Sequence, residues 1–307
     1  MYHKIVLAGG SGYIGQVLAS YYQNKAATIV VLTRQPQTGQ GNITFQLWDG
    51  KTLGPWTTCL EGADLLINLC GKNVNCRYTA ANRRAILTSR TEPTELLANA
   101  INTLKDPPRM WLNLTSATIY RHAEDAPQTE NHGDIGYGFS VEVCQAWEKS
   151  FWALDTPQTK KVVLRTGIVM GRTDGVMPRL KKLVQCGLGG HQGHGYQYVS
   201  WIHEQDLARI TEWVYQNAAD GAIYNGTAPE AISNKALMGL IRKTLGIPIG
   251  LPTPQWLLEI GAVLIGTETE LVLKSRWVYP ENLLASGFQF HFPAAGPAVH
   301  DLLSCRV

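Results

Sequence analysis

The chain has 307 residues, of which 45% are apolar and 17% charged. Its length holds one large domain or two smaller ones, and this composition excludes a disordered chain. Its 27 basic and 24 acidic residues leave a formal charge of +3, which gives no support to nucleic-acid binding or to a polybasic membrane surface.

In chain order, Met1-Tyr2-His3-Lys4 leads straight into an apolar strand over residues 4–8, without the three-part pattern of a signal peptide. A glycine-rich turn follows. Residues 13–24 then carry Ile14, Val17, Leu18 and Tyr21 at helical spacing, and residues 28–33 form a β-branched second strand. Apolar runs recur at 65–69, 111–115 and 162–166, separated by helix-like segments. This alternation predicts an α/β fold, a doubly wound parallel sheet of the Rossmann type. Asn225-Gly226-Thr227-Ala228-Pro229 is a turn-rich break. It divides an expected Rossmann domain with substrate-side insertions, residues 1–228, from a small, mostly helical C-terminal domain, residues 229–307. In that tail, residues 233–245 read as a capped amphipathic helix ended by Gly246 and Pro248, and another helix starts at Gln255. The longest strongly apolar stretch, residues 256–266, contains Glu259 and falls short of the ~20 residues of a spanning helix. Six cysteines (Cys59, Cys70, Cys76, Cys144, Cys186 and Cys305) form no CxxC pair. They suit free thiols in a reducing cytoplasm better than disulfides or a zinc site. A soluble cytoplasmic protein without a metal is expected.

The chemistry begins in Ala8-Gly9-Gly10-Ser11-Gly12-Tyr13-Ile14-Gly15. One glycine permits the tight turn, another the approach of backbone to a pyrophosphate, and a third close packing of helix on strand. The helix start offers unpaired N–H groups to the anion. Preceded by a strand and opening a helix, the pattern reads as a dinucleotide fingerprint. An acidic residue at the end of the second strand would accept from the ribose of NAD. Thr33-Arg34 stands there instead, with no Asp or Glu before Asp49. Arg34 can pair with a 2′-phosphate, which favours NADP. A solvated surface arginine is the ordinary alternative.

These residues resemble the extended short-chain dehydrogenase/reductase superfamily, of the NAD-dependent epimerase/dehydratase type. The likeness narrows to the "epimerase family protein" branch, also labelled YfcH-like or SulA-like. Ile67-Asn68-Leu69-Cys70-Gly71 resembles that branch's INLAG segment, Arg77-Tyr78-Thr79 its RWT and Ser89-Arg90 its SR pair. Leu164-Arg165-Thr166-Gly167-Ile168-Val169-Met170-Gly171 is similar to LRTGIVLG. Gly187-Leu188-Gly189-Gly190, and Trp201-Ile202-His203 with Asp206-Leu207, resemble GLGG and WIHxxDL. Ala285-Ser286-Gly287-Phe288-Gln289-Phe290 resembles the AGFxF of a C-terminal domain of unknown function. The resemblance implies NADP held by Gly9, Ser11, Gly12, Tyr13, Ile14 and Gly15 at the pyrophosphate, and by Thr33 and Arg34 at the adenosine phosphate. It also implies Asp49 near adenine and Asn68, Leu69 and Gly71 along the ribose, with Arg90 and Ile168 as further candidates.

The superfamily's chemistry uses a tyrosine acid/base, a lysine four residues later, and an orienting serine. Thr115-Ser116-Ala117-Thr118-Ile119-Tyr120 resembles its SSATVY segment, so Ser116 is the candidate orienting hydroxyl; a strand-end capping serine is the alternative. Aligning Tyr137-Gly138-Phe139-Ser140 with YGxS makes Tyr137 the candidate acid/base but puts Val141 where lysine belongs. Anchoring on Cys144 with Trp147-Glu148 places Ser140 and Cys144 at the Tyr and Lys positions. Neither register has the lysine, and Lys149 is twelve residues beyond Tyr137. His203 and Asp206, three apart, are read as fold-supporting, and Arg179, Lys181 and Lys182 as a solvated basic face.

Two functions stay open at this point. One is an NADP-dependent oxidoreductase or epimerase on a small, nucleotide-linked or other substrate, with a degenerate acid/base pair. The other is a non-catalytic NADP-binding redox sensor or scaffold, associated in related cyanobacterial and plastid proteins with cell division. A homodimer is allowed by either. Metal hydrolysis and nucleic-acid binding have no motif behind them.

Overall fold

A computed structural model describes residues 1–259 and 268–304. Seven strands form one parallel sheet: β1 (Tyr2–Ala8), β2 (Ala26–Thr33), β3 (Ile43–Leu47), β4 (Leu65–Asn68), β5 (Met110–Ser116), β6 (Lys160–Thr166) and β10 (Ile223–Gly226). Their order is β10-β6-β5-β4-β1-β2-β3, and every pairing is parallel. The direction of winding reverses between β1 and β4, which opens the crevice where such sheets bind ligands.

The strands are apolar without interruption because both faces are covered. Ile5, Leu7, Ile29, Val31, Leu65, Ile67, Leu112 and Leu164 point into one core layer. Val6, Leu32, Leu66, Trp111 and Val163 point into the other. The first layer is closed by α1 (Tyr13–Tyr22) through Leu18 and Tyr22, and by α5 (Glu204–Asn217) through Leu207, Ile210 and Val214. The second is closed by α2 (Ala80–Ile101) and α3 (Phe139–Ala153), whose Phe151 meets Trp111 edge-on. Each fully buried side chain of this kind is worth roughly 1.5–3 kcal/mol. The strands expected at 28–33 and 111–115 extend by one or two residues, and the first helix stops two residues short of residue 24.

Past the sheet, β7 (Ile168–Met170) pairs with β9 (Trp201–His203) and β8 (Tyr198–Val199) with β11 (Ile232–Ser233). These short pairs were not foreseen. α4 (Met177–Gln185), α6 (Asn234–Thr244) and a helix over Ala295–Leu303 share a third core with Met170 and Trp201. α6 matches the expected capped helix, with Ser233 Oγ accepting from Ala236 N at 3.3 Å. The C-terminal part is accordingly mostly helical. The helix expected from Gln255 is present through residue 259; its continuation, most of the apolar stretch at 256–266 and Cys305 lie outside the described residues. Among the described residues no helix is long and apolar enough to cross a membrane.

Candidate functional site

Ala8, Thr33, Asn68, Ser116 and Thr166 end their strands at one edge of the sheet, and the glycine turn closes that edge over β1. Gly9 takes φ +72°, a conformation that side chains other than glycine's rarely adopt, and a Cβ there would stand 3.0 Å from Cys70 Sγ. A Cβ on Gly15 would lie 2.0 Å from the carbonyl oxygen of Gly10, so only glycine lets α1 press against the turn. At Gly12 a Cβ would meet nothing within 4 Å. Gly12 is the N-cap of α1 and supplies no side-chain cap, and the first turn carries no acidic residue. Its leading amides are therefore left for an anion.

Alongside lies a cleft of about 560 Å³ bounded by Ser11, Thr33, Arg34, Gln35 and Gln37. Thr33 is buried, and its Oγ1 accepts from Gln35 N at 3.3 Å. Arg34 is exposed and has no hydrogen-bond partner among the described residues. Asp49 is tied into its own turn, accepting from Lys51 N at 2.8 Å, Thr52 N at 2.9 Å and Thr52 Oγ1 at 2.7 Å. The Thr52 hydroxyl and these amides hold its carboxyl down at about 2. A turn with an open anion seat beside an unopposed guanidinium fits a phosphorylated dinucleotide.

Other expected cofactor residues divide by where their side chains go. Tyr13 sends its hydroxyl across Gly171 to Glu204 on α5, so only its backbone faces the turn. Glu204 also accepts from Arg172 N at 3.2 Å, and Arg172 reaches Asp301 at 2.9 Å and the Ser304 carbonyl at 3.0 Å. Ile14 is half-buried against the first core layer, as is Leu69, whose N–H donates to Ala8 O at 2.9 Å. Asn68 is fully buried, donating to Thr94 Oγ1 at 2.9 Å and Asn113 Oδ1 at 2.8 Å and accepting from Cys70 N at 3.1 Å. Its side chain is spent on the sheet edge. Gly71 leaves space for the Arg90 guanidinium, which a Cβ would approach to 3.0 Å. Arg90 donates to Ile86 O at 2.9 Å and Lys72 O at 3.2 Å and lies over Trp147. Ile168 opens β7, half-buried, in register with Trp201.

Ser116 Oγ caps the short turn over Ala117–Ile119, accepting from Thr118 N at 3.2 Å and bonding Thr118 Oγ1 at 3.0 Å. Tyr137 is 85% exposed, just before α3, with no hydrogen-bond partner among the described residues. Lys149 lies on the outer face of α3. At the positions where the alternative register puts the Tyr-Lys pair, Ser140 Oγ donates to Glu270 Oε2 at 3.2 Å, and Cys144 is a buried thiol pushed by burial up to about 12.

Sequence reasoning missed what surrounds these two residues. The Tyr78 hydroxyl interacts with Ser140, and burial raises its pKa while Ser140 and Arg276 pull it back. Tyr78 N donates to Glu268 Oε1 at 2.7 Å, Glu268 pairs with Arg77 at 3.2 Å, and Lys274 stands 3.7 Å from Glu270. Arg276 completes the cluster. Its signal in the sequence is slight, a second cation two residues after Lys274 and just before the apolar pair Trp277-Val278.

Beneath Ser116, Glu148 accepts from Arg165 Nε at 2.9 Å, Arg165 Nη2 at 2.8 Å and Thr115 Oγ1 at 3.0 Å. Arg165 Nη1 donates to the Tyr120 hydroxyl at 2.8 Å, which donates to Asn225 Oδ1 at 3.0 Å. This network is closed and buried. His203 caps α5, accepting from Gln205 N at 3.1 Å, and Asp206 accepts from His291 N at 2.9 Å and Phe292 N at 2.8 Å. The pair supports the fold by holding the tail onto α5. On α4, Arg179 and Lys182 are solvated.

A parallel sheet that opens at its switch point onto an uncapped helix is what a Rossmann dinucleotide-binding protein presents. Comparison with known proteins narrows that class. The model of the NAD dependent epimerase/dehydratase family matches residues 5–225, and the chain belongs to that family. A domain of unknown function, DUF1731, matches residues 253–302. The epimerase family protein SDR39U1 of Bos taurus is 30% identical over 98% of this chain and 100% of the bovine protein. YfhF of Bacillus subtilis, also described as an epimerase family protein, is 27% identical over 99% of each chain. The crystal structure of human SDR39U1 isoform 2 with NADPH superposes with a TM-score of 0.85 at 28% identity, covering 97% of this chain and 98% of the human one. A UDP-N-acetylglucosamine 4-epimerase from Methanobrevibacter ruminantium, 15% identical with a TM-score of 0.77, shares the fold.

Proposed function

We propose that this chain binds NADP(H) at its glycine turn and acts as an oxidoreductase or epimerase on a small substrate, nucleotide-linked or otherwise. The carrying observation is Arg34: a free guanidinium at the end of β2, beside the cleft, where an NAD-binding chain has a carboxylate. The human relative crystallised with NADPH supports the choice of cofactor. When bound, the nicotinamide supplies the hydride donor or acceptor. The amides of the first turn of α1 would hold the pyrophosphate, and Arg34 would pair with the 2′-phosphate. Ser116, at the end of β5, offers a hydroxyl to orient substrate. Tyr137 is the candidate for the superfamily's tyrosine, but Val141 stands four residues on where the lysine belongs, so proton transfer here depends on a different arrangement. The free thiols Cys59, Cys70, Cys76, Cys144 and Cys186 support a cytoplasmic setting.

The test is calorimetry with NADPH and NADH, followed by a carbonyl and sugar-nucleotide screen for NADPH turnover. Binding of NADPH in preference to NADH, with turnover of at least one compound, is expected. Absence of heat with NADPH would overturn the reading. A second reading, a non-catalytic redox sensor or scaffold tied to cell division, is favoured by one observation: the lysine position holds Val141 in one register and the buried thiol Cys144 in the other. Tight NADPH binding without turnover across the screen would select it.

A further inference from the structure

Arg276 is 7% exposed, and its Nε and Nη2 have no hydrogen-bond partner among the described residues. A guanidinium carries five donors and a fixed charge, so burial without acceptors is costly. Nearby acidic groups are committed elsewhere. Glu270 accepts from Ser140 and lies against Lys274, and Glu268 is taken by Arg77 and the Tyr78 amide. The Arg276 backbone is fixed, its N–H donating to Tyr198 O at 2.9 Å and its carbonyl accepting from Ser200 Oγ at 2.7 Å. Its charge acts on Tyr78, Cys144 and Glu270. It therefore belongs to the same cluster as the first two turns of α3, where Ser140 and Cys144 stand at the acid/base positions in one of the two registers.

We infer that Arg276 is an anion seat for the substrate, and that the group it takes is a single carboxylate. Two adjacent donors on one guanidinium match a carboxylate in bidentate geometry. Lys274 is offset by Glu270 and Arg77 by Glu268, which leaves the charges of Arg276 and Arg90 without a carboxylate; a multiply charged group at Arg276 would meet the Glu270 carboxylate, which favours a singly charged one. Arg90, a further cation near Cys144, already uses its donors on two carbonyl oxygens, which leaves Arg276 as the one with open donors. The inference rests on the proposed cofactor site and names the substrate class that site serves, an acid rather than a diphosphate ester.

The experiment uses the full chain, wild type, Arg276→Met and Arg276→Lys, each first titrated with NADPH and then, loaded, with malonate, inorganic pyrophosphate and UDP. Melting temperatures are read in parallel. NADPH affinity is expected to stay within about twofold in both variants, because Arg276 is outside the cofactor cleft. Malonate is expected to bind wild type, to weaken at least about tenfold in Arg276→Met, and to recover in part in Arg276→Lys. Arg276→Met is expected to melt no lower than wild type, since a methionine fills the space without an unpaired charge. Malonate binding equal in all three proteins overturns the inference, as does a clear fall in the melting temperature of Arg276→Met, which would reveal a structural partner. Arg276-dependent binding of pyrophosphate or UDP tighter than that of malonate replaces carboxylate by phosphate and overturns the class named here. Loss of NADPH binding by wild type would strike the cofactor reading itself, whereas NADPH bound without Arg276-dependent malonate binding strikes only this one.

Discussion

Arg165 and Arg276 are both buried guanidiniums within reach of α3, and they are handled in opposite ways. Arg165 meets Glu148 through two N–H groups and Tyr120 through a third, with both side chains of the ion pair 9% exposed. Burial alone would lower its pKa, but the hydrogen bonds and charge of Glu148 outweigh that and raise it. Arg276 has no such partner, and burial lowers its pKa. A paired buried arginine serves the fold, whereas an unpaired one keeps its donors for something that arrives later. Arg34 is a third case, unpaired but solvated, so it pays no burial cost while it waits for a phosphate.

The largest effect is expected where pairing is broken. Glu148→Ala strands Arg165 in the interior and should remove about 3–5 kcal/mol of stability by chemical denaturation. A loss under 1 kcal/mol would erase the distinction between the two arginines. Arg34→Ala should weaken NADPH binding by about 10- to 100-fold, roughly 1.4–2.8 kcal/mol, while leaving NADH affinity nearly unchanged. Equal losses for both cofactors would mean that Arg34 does not read the 2′-phosphate. Tyr120→Phe leaves Arg165 Nη1 and Asn225 Oδ1 without their shared partner and should cost about 1–2 kcal/mol; an unchanged denaturation midpoint would show that Glu148 alone suffices.

The smallest effect concerns His203, another buried titratable group. Burial lowers its pKa, against the pull of Asp301 and Asp206. The unfolded chain, with histidine near 6.5, therefore binds the proton more readily than the folded one. His203's contribution is intact above about pH 6.5 and declines as pH falls below that value toward the lower folded pKa. Melting temperatures between pH 5 and 8 should fall on the acid side more steeply for wild type than for His203→Gln; parallel profiles would contradict the assignment.

The parts of this molecule that were legible in the sequence are those built from near neighbours in the chain. The glycine turn, the strands of the sheet and the Ser233 cap each involve residues within a few positions of one another. The 3.6- and 2-residue periods therefore record them. Arg276 acts on Tyr78 and Cys144 across more than 130 residues, and no local pattern encodes that proximity. Asn68 illustrates the reverse limit. Its place at the end of β4 was readable, but the direction of its side chain depended on Thr94 and Asn113, which only tertiary packing brings close.

The bond from Tyr13 to Glu204 has a mechanical consequence. Through Glu204 and Arg172 it joins the opening turn of α1 to Asp301 and Ser304, so a load on one end is borne at the other. Occupancy of the glycine turn should thus slow amide hydrogen exchange in the helix Ala295–Leu303, making that remote helix a reporter of nucleotide saturation.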